Sequence, residues 1–215
     1  MPESNTSICN QSLGRIGATR INDFDDTSET SLSVIQCRLH LEPSRDALLR
    51  SFFWPFAAAR KTLSPDTVDP SFEWDNQFIL PTDFLYLRSI FDSADIGALS
   101  LSDSRQSHAI EGRRILTNDS SMKIRYTKKV TDPSQFDPLF VEVLVLRLAM
   151  KLTAGLAKTD PKLRSDILTE LRLLMPAVRA LSRQEAELIG RVDLFLWNDA
   201  RATIGGRTNF PFEAP

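Results

Sequence analysis

Cys37 and His40 are the residues of this chain whose types and spacing could most directly do chemistry. Three positions apart on a predicted helix, a thiolate and an imidazole share one face and could hold a metal or form a nucleophile with its base. Cys9, on another predicted helix, could add a ligand, and His108 is the second of two histidines. A structural zinc site needs four ligands, and no orienting partner is evident for the histidine. We therefore expect buried free thiols, with no metal, no cofactor and no enzymatic activity.

Other catalytic patterns are missing from the sequence. It contains no phosphate-binding loop, G-x-S-x-G elbow or H-E-x-x-H helix. The adjacent carboxylates Asp25 and Asp26 are explained by surface solvation. Glu142 differs, because it lies opposite the basic residues of a very apolar helix. We expect it to enter the helical bundle and to form a structural ion pair with a cation such as Arg15 or Arg50.

That apolar helix spans residues 135–158 and should be surrounded by other protein. Asp137 is placed to cap it, and Pro138 suits its first turn, where a missing N–H costs nothing. A membrane span is the rival interpretation. Charged residues inside the run argue against it, since each would cost roughly 2.5 to 3.5 kcal/mol near a bilayer centre. We expect no membrane span and a central helix of a bundle.

Changes in hydrophobic period divide the chain into four parts. Residues 1–70 are predicted to be the first part of a helical bundle, and 71–132 a β-rich insertion. Residues 133–190 return to the bundle, and 191–215 form an extended C-terminal tail. The predicted fold class is therefore α+β, a helical bundle built from both ends of the chain around a β-rich middle.

Several elements follow from local pattern. In the second helix, Leu32, Ile35 and Leu39 are expected to form the buried face, and Pro43 to kink or interrupt it. Residues 57–63 are predicted to be helical.

In the β-rich part, 84–91 is predicted to be a strand, and 110–116 is expected to form a hairpin with 122–128. The second arm alternates, with Lys123 and Arg125 on one face and Ile124 and Tyr126 on the other. Residues 93–107 are predicted to be a mobile loop.

Overall charge gives little guidance about partners. The formal net charge is −2 over 215 residues, so no global attraction to nucleic acid or membrane is expected. Residues 97–129 carry seven Lys or Arg against three acidic residues. This local excess fits a nucleic-acid face or a charged subunit contact, although Tyr126 is its one aromatic, which disfavours single-strand binding. No secretion signal is recognised, which favours maturation in a cytosol.

Four stretches, taken in order, resemble the head-to-tail adaptor of short-tailed bacteriophages, the tail tubular protein A family. They read ICNQSLGRIGA at 8–18, SRDALLRSFFWPFAAARKTL at 44–63, FILPTDFLYLRSI at 78–90, and EGRRILTNDSSMKIRYTKKVTDPSQFDPLFVEVLVLRLAMKLT at 111–153. An acidic linker between the first two also matches. The resemblance fades after about residue 158.

The resemblance implies a structural virion protein of the tail or neck, made in the host cytoplasm. Such a protein assembles as a dodecameric ring beneath the portal and receives the tail nozzle. Double-stranded DNA passes through the lumen without sequence-specific binding. The alternatives are a neck or head-completion protein of another tailed-phage type, a nucleic-acid-binding module and, in a different class, a cysteine- or carboxylate-dependent hydrolase.

Two hypotheses about contacts follow from this comparison. Trp197, Phe210 and Phe212 are unanchored aromatics near the C-terminus, and we expect them to dock on the portal. Lys123 and Arg125, with the 93–107 loop, are expected to contact neighbouring subunits or the nozzle.

Overall fold

The computed structural model describes residues 3–91, 108–156 and 161–186, which form helices at both ends of the chain and strands between them. The helices are α1 (Asn5–Arg15), α2 (Leu32–Ser51), α3 (Pro138–Leu152) and α4 (Pro161–Ala186). The strands are β1 (Ala58–Leu63), β2 (Asn76–Ile79), β3 (Phe84–Phe91), β4 (His108–Glu111), β5 (Arg114–Thr117) and β6 (Met122–Lys128).

Helix α3 lies at the centre of the helical part. Its N-cap is Asp137, whose carboxylate accepts the backbone N–H groups of Leu139 at 2.8 Å and Phe140 at 3.3 Å. Pro138 occupies the first turn, and both predictions about this start are confirmed. The helix ends at Leu152, before the predicted end at 158. Helices α1, α2 and α4 all pack against it, and their apolar residues share one core with it.

Helices α1 and α2 begin at serine caps. The hydroxyl of Ser4 accepts the N–H of Ser7, and the hydroxyl of Ser31 accepts the N–H of Val34. Helix α2 continues through Pro43, contrary to the predicted interruption. Pro43 is exposed, so the carbonyl four residues earlier that loses its hydrogen bond lies on the solvent side of the helix. This placement makes the proline tolerable within one continuous helix.

The strands form two separate antiparallel sheets of three strands each. One has the order β1-β6-β3 and the other β2-β5-β4. Strand β3 has the bounds that the sequence predicts. The predicted hairpin of 110–116 with 122–128 is wrong, because Gly112 makes a tight turn at φ 58° and splits the first arm into β4 and β5. Strand β6 pairs instead with β1 and β3, in the other sheet.

A second, smaller core lies between the sheets. It contains the buried side chains Leu63, Phe78, Leu80, Ile115, Met122, Ile124 and Tyr126. The predicted alternation of β6 is confirmed on this side. The opposite side of β6 is less exposed to solvent than expected, since Lys123 and Arg125 are half-buried and Thr127 is 1% exposed.

The predicted fold is therefore corrected. The chain is α+β, with helices at both ends and strands in the middle, but the middle forms two separate three-stranded sheets and begins earlier than predicted, at β1. Residues 58–63, predicted to be helical, form β1, because pairing with β6 places Ala58 opposite Thr127 and Leu63 opposite Met122. The predicted extended tail at 191–215 lies outside the described residues.

Candidate assembly surfaces

Cys9 and Cys37 come together inside the helical core. Both are fully buried, and a hydrogen bond joins their side chains. That hydrogen bond and burial raise the pKa of the Cys9 thiol, which makes it a poor nucleophile. Within the described ranges, no cluster of three or more His, Cys, Asp or Glu side chains could hold a metal. His40 is half-buried on α2, and His108 lies on β4.

Glu142 is exposed, contrary to the expectation that it enters the helical core. It lines an open groove between α1 and α3. The two cations considered as its partners are engaged elsewhere. Arg15 forms an ion pair with Glu170 of α4 at 3.0 Å, and Arg50 donates to the carbonyl of Leu85 at 3.0 Å. Helical period alone placed Glu142 opposite the basic residues, but that side of α3 faces solvent at this turn.

Three arginines and two aromatic rings alternate on the outer side of the β1-β6-β3 sheet. We name Arg50, Phe53, Tyr86, Arg88 and Arg125 the arginine–aromatic face. The Arg125 guanidinium lies 4.7 Å from the Phe53 ring centre, and Arg88 lies 5.4 Å from the same ring. Arg88 also lies 4.8 Å from the Tyr86 ring, which Arg50 approaches at 5.7 Å. Each ring is therefore contacted by two cations, an attractive arrangement since ring faces are electronegative.

Strand pairing and the end of α2 position these side chains. Arg125 is on β6 and Tyr86 and Arg88 are on the neighbouring β3. Arg88 donates to the Thr127 hydroxyl at 2.7 Å and to the Phe52 carbonyl, which ties the sheet to the segment that follows α2. The backbones of α2, β3 and β6 therefore hold the face in place.

The arginine–aromatic face carries positive charge that no described carboxylate balances. Among the residues that the structure describes, none of its three guanidinium groups is in ion-pair contact with Asp or Glu. Burial lowers the pKa of Arg88, although the group stays protonated at neutral pH. Arg60, which is exposed, lies directly opposite Arg125 on β1 and extends the positive charge. Such a surface can bind carboxylates or phosphates.

Lys123 and Arg125, predicted to form a contact, lie two positions apart on β6 and so on the same side of the sheet. Their role in a subunit or nozzle contact stays a prediction. The rest of the arginine–aromatic face was missed from the sequence. The available signal was Phe53 and Tyr86, each within three positions of an arginine, but these segments lie more than thirty residues apart.

The second surface is on α2, where the predicted buried face is exposed. Leu32, Ile35 and Leu39 are 58%, 49% and 59% exposed. We name these three residues the outer face of α2. The helix buries a different set, including Val34 and Cys37. Two apolar faces on one helix mean that one of them lacks a partner among the residues that the structure describes.

An acidic loop, residues 23–29, directly precedes this outer face. Its four carboxylates are Asp23, Asp25, Asp26 and Glu29. Arg38 fixes the loop by donating to the carbonyls of Phe24, Asp26 and Glu29 at 2.9, 2.7 and 3.3 Å. Hydrogen bonds from Ser28 lower the pKa of Asp26 and keep it ionised. The loop is therefore a fixed negative patch.

Trp197, Phe210 and Phe212, predicted to dock on the portal, and the loop at 93–107 lie outside the described residues.

A scan of the chain against models of protein families finds no match, and a search of curated proteins finds none. Within the ranges that the structure describes, no helix has the length and apolar character needed to cross a membrane.

Proposed function

We propose that this chain is a structural subunit of a phage virion, a head-to-tail adaptor that forms a ring between the portal and the tail nozzle. In this role it lines the DNA exit path of the virion after being made in the host cytoplasm. Its function is assembly and not catalysis.

The observation that carries this proposal is where the four resembling stretches lie. They supply α1, the second half of α2 with β1, strand β3, and the run from β5 through α3. Three of them build the helical core around α3, through side chains such as Ile8, Leu48 and Phe140. A resemblance that falls on the packing framework supports a shared scaffold more strongly than one scattered over the surface.

The uncovered outer face of α2 also supports an assembling subunit. Three apolar side chains on one side of a helix, each about half exposed, are typical of an interface that another protein surface covers. In the proposed ring, neighbouring copies, the portal or the nozzle would supply that surface.

A nucleic-acid-binding module is the second candidate, favoured by the arginine–aromatic face. Arginines alternating with rings can contact phosphates and stack on bases. If this were the main function, binding to duplex DNA should be tight at low salt and weaken steeply as salt rises, because several counterions are released. An adaptor needs no such affinity, since DNA only passes through its lumen.

The adaptor proposal is tested by mixing the purified chain with the portal protein of the virus that encodes it. Mass measurement of the complex should show about twelve copies added per portal, with no addition to an unrelated ring-shaped protein. A chain that stays separate from the portal at every concentration and salt would contradict the proposal.

A further inference from the structure

Two patches of opposite charge lie at the two ends of α2. The acidic loop immediately precedes Leu32, the first residue of the helix, and the arginine–aromatic face begins at Arg50, near its last. Arg38, which holds the loop, precedes Arg50 by twelve residues, so the two lie about 18 Å apart along the helix axis. That distance is about twice the Debye length of roughly 8 Å at physiological salt. The patches therefore do not neutralise each other within one chain.

Neither patch can fold back to meet the other. The acidic loop is held by Arg38 and by Asn10, whose side chain makes two hydrogen bonds to the backbone of Ile21, at 2.8 and 3.0 Å. The Phe24 N–H also donates to the Thr6 hydroxyl at 3.0 Å, which ties the loop to α1. The arginine–aromatic face is fixed on paired strands. Any attraction between them has to act between two molecules.

Each charged patch also carries apolar surface. The outer face of α2 follows the acidic loop within one to three helical turns, and the rings of Phe53 and Tyr86 separate the arginines. Tyr86 is 43% exposed. An acidic patch joined to aliphatic side chains thus has its counterpart in a basic patch joined to aromatic rings. This pairing of charge and apolar area is the complementarity expected of two surfaces that meet.

We propose that the acidic loop and the outer face of α2 in one copy dock on the arginine–aromatic face of a second copy. The two surfaces differ, so the contact is head-to-tail, and repeating it closes a ring when the rotation between copies allows. The inference rests on the proposed adaptor function, since it names the contact between subunits of that ring.

Nucleic acid is a less suitable occupant of these surfaces. Phosphates would satisfy the arginines, but they would leave the outer face of α2 uncovered and the acidic loop without a cationic partner. A second copy covers all three features at once.

The test uses charge reversal on each side of the contact, in the full chain. Arg125→Glu reverses the basic face, and Asp25→Lys reverses a loop carboxylate that is exposed. Each variant alone should self-associate about tenfold or more weakly than the natural chain in low-salt sedimentation velocity, because like charges then face each other. Asp69→Lys is the matched control for Asp25→Lys, since it makes the same charge change at an exposed site between β1 and β2.

Mixing the two variants is the most specific readout. The unchanged loop of the Arg125→Glu chain meets the unchanged face of the Asp25→Lys chain, and the two altered surfaces carry opposite charges and attract as well. An equimolar mixture should therefore regain the association that each variant lacks alone. The double variant, with the charges exchanged, should recover self-association. If both single variants associate as strongly as Asp69→Lys, or if the natural chain is monomeric at every concentration, the proposal is overturned.

Leu39→Gln keeps the test decisive if Arg125→Glu does not fold. It changes an exposed position and should also weaken association, whereas Leu173→Gln, at a 75% exposed site on α4, should not. Equal effects of the two would overturn the proposal. So would an Arg125→Glu variant that loses binding to a short duplex DNA while its self-association is unchanged, which would assign the face to nucleic acid.

The outcomes separate this contact from the adaptor function. Rings that form on the portal equally well with Asp25→Lys and Arg125→Glu would refute the contact and leave the adaptor role intact. The predicted pattern of rescue without any portal binding would support the contact and refute the adaptor role.

Discussion

Phe140 on α3 is the side chain on which the helical core depends most directly. It is fully buried, and three other rings surround it. Its ring centre lies 5.0 Å from that of Trp54, 5.1 Å from that of Phe56 and 5.0 Å from that of Phe136. These rings join α3 to the segment between α2 and β1. Replacing Phe140 by Ala therefore removes the ring through which α3 contacts the segment that leads into β1.

The expected cost of Phe140→Ala is large. Truncating a buried phenylalanine costs about 3 to 5 kcal/mol. Here the surrounding rings are fixed by one another, so the cavity cannot collapse easily, and the loss of three ring pairs places the cost in the upper part of that range. We expect a loss of about 4 to 5 kcal/mol in the free energy of unfolding. At roughly 2 to 4 °C per kcal/mol for a chain of this length, Tm should fall by about 8 to 20 °C.

Urea unfolding followed by far-UV circular dichroism measures this cost through the helices. Phe72→Ala is the matched control, because Phe72 is 79% exposed and the same truncation there should change stability by less than about 0.5 kcal/mol. A cost below about 1.5 kcal/mol for Phe140→Ala, or equal costs for the two variants, would refute the four-ring core.

Three further predictions test other parts of the structure. Asp137→Ala should lower the free energy of unfolding by about 1 kcal/mol, because it removes the cap of α3. Glu142→Gln should change it by less than about 0.5 kcal/mol, because that carboxylate is exposed. Thermal melts measure both, and a larger loss for Glu142→Gln than for Asp137→Ala would contradict this prediction. Burial of the hydroxyl, with a smaller contribution from the neighbouring Asp83 carboxylate, raises the pKa of Tyr126 from 10.0 to about 12. The folded state therefore holds that proton more tightly than the unfolded state, and stability should fall as pH rises from about 10 to 12. Tyr126→Phe should remove this part of the pH dependence in urea titrations, and an unchanged slope would be evidence against it. Deleting residues 191–215 should leave the described helices folded by circular dichroism but abolish portal binding in a pull-down; full binding by the truncated chain would exclude the proposed role of the tail.

Local chemistry made some elements predictable from the sequence. The start of α3 follows from Asp137 and Pro138, which act within one turn of the helix. Strand β3 follows from its aromatic and other strand-favouring residues, and the buried side of β6 from strict alternation. These signals depend on neighbours in the chain, so no tertiary information is needed.

Other elements depend on distant partners and could not be read in this way. Residues 58–63 begin with alanines that favour helix, yet pairing with β6 makes them a strand. In α2 the sequence offers two apolar faces, and periodicity cannot choose between them. The fold buries the face containing Val34 and leaves that of Leu39 exposed.

The candidate surfaces show the same limit. The acidic loop is continuous in sequence and was visible there as a linker. The arginine–aromatic face combines the end of α2, the segment after it, β3 and β6, and no local spacing joins Arg50 to Arg125. Glu142 was misplaced for a related reason, because the side of α3 that the other helices leave open is set by their packing.

Electron microscopy of the portal protein, with and without this chain, tests the adaptor proposal most directly. We predict an additional twelve-fold ring, coaxial with the portal and on its tail-facing side, whenever the chain is present. A portal that looks the same with and without the chain, while the chain remains a folded monomer in solution, would contradict the proposal.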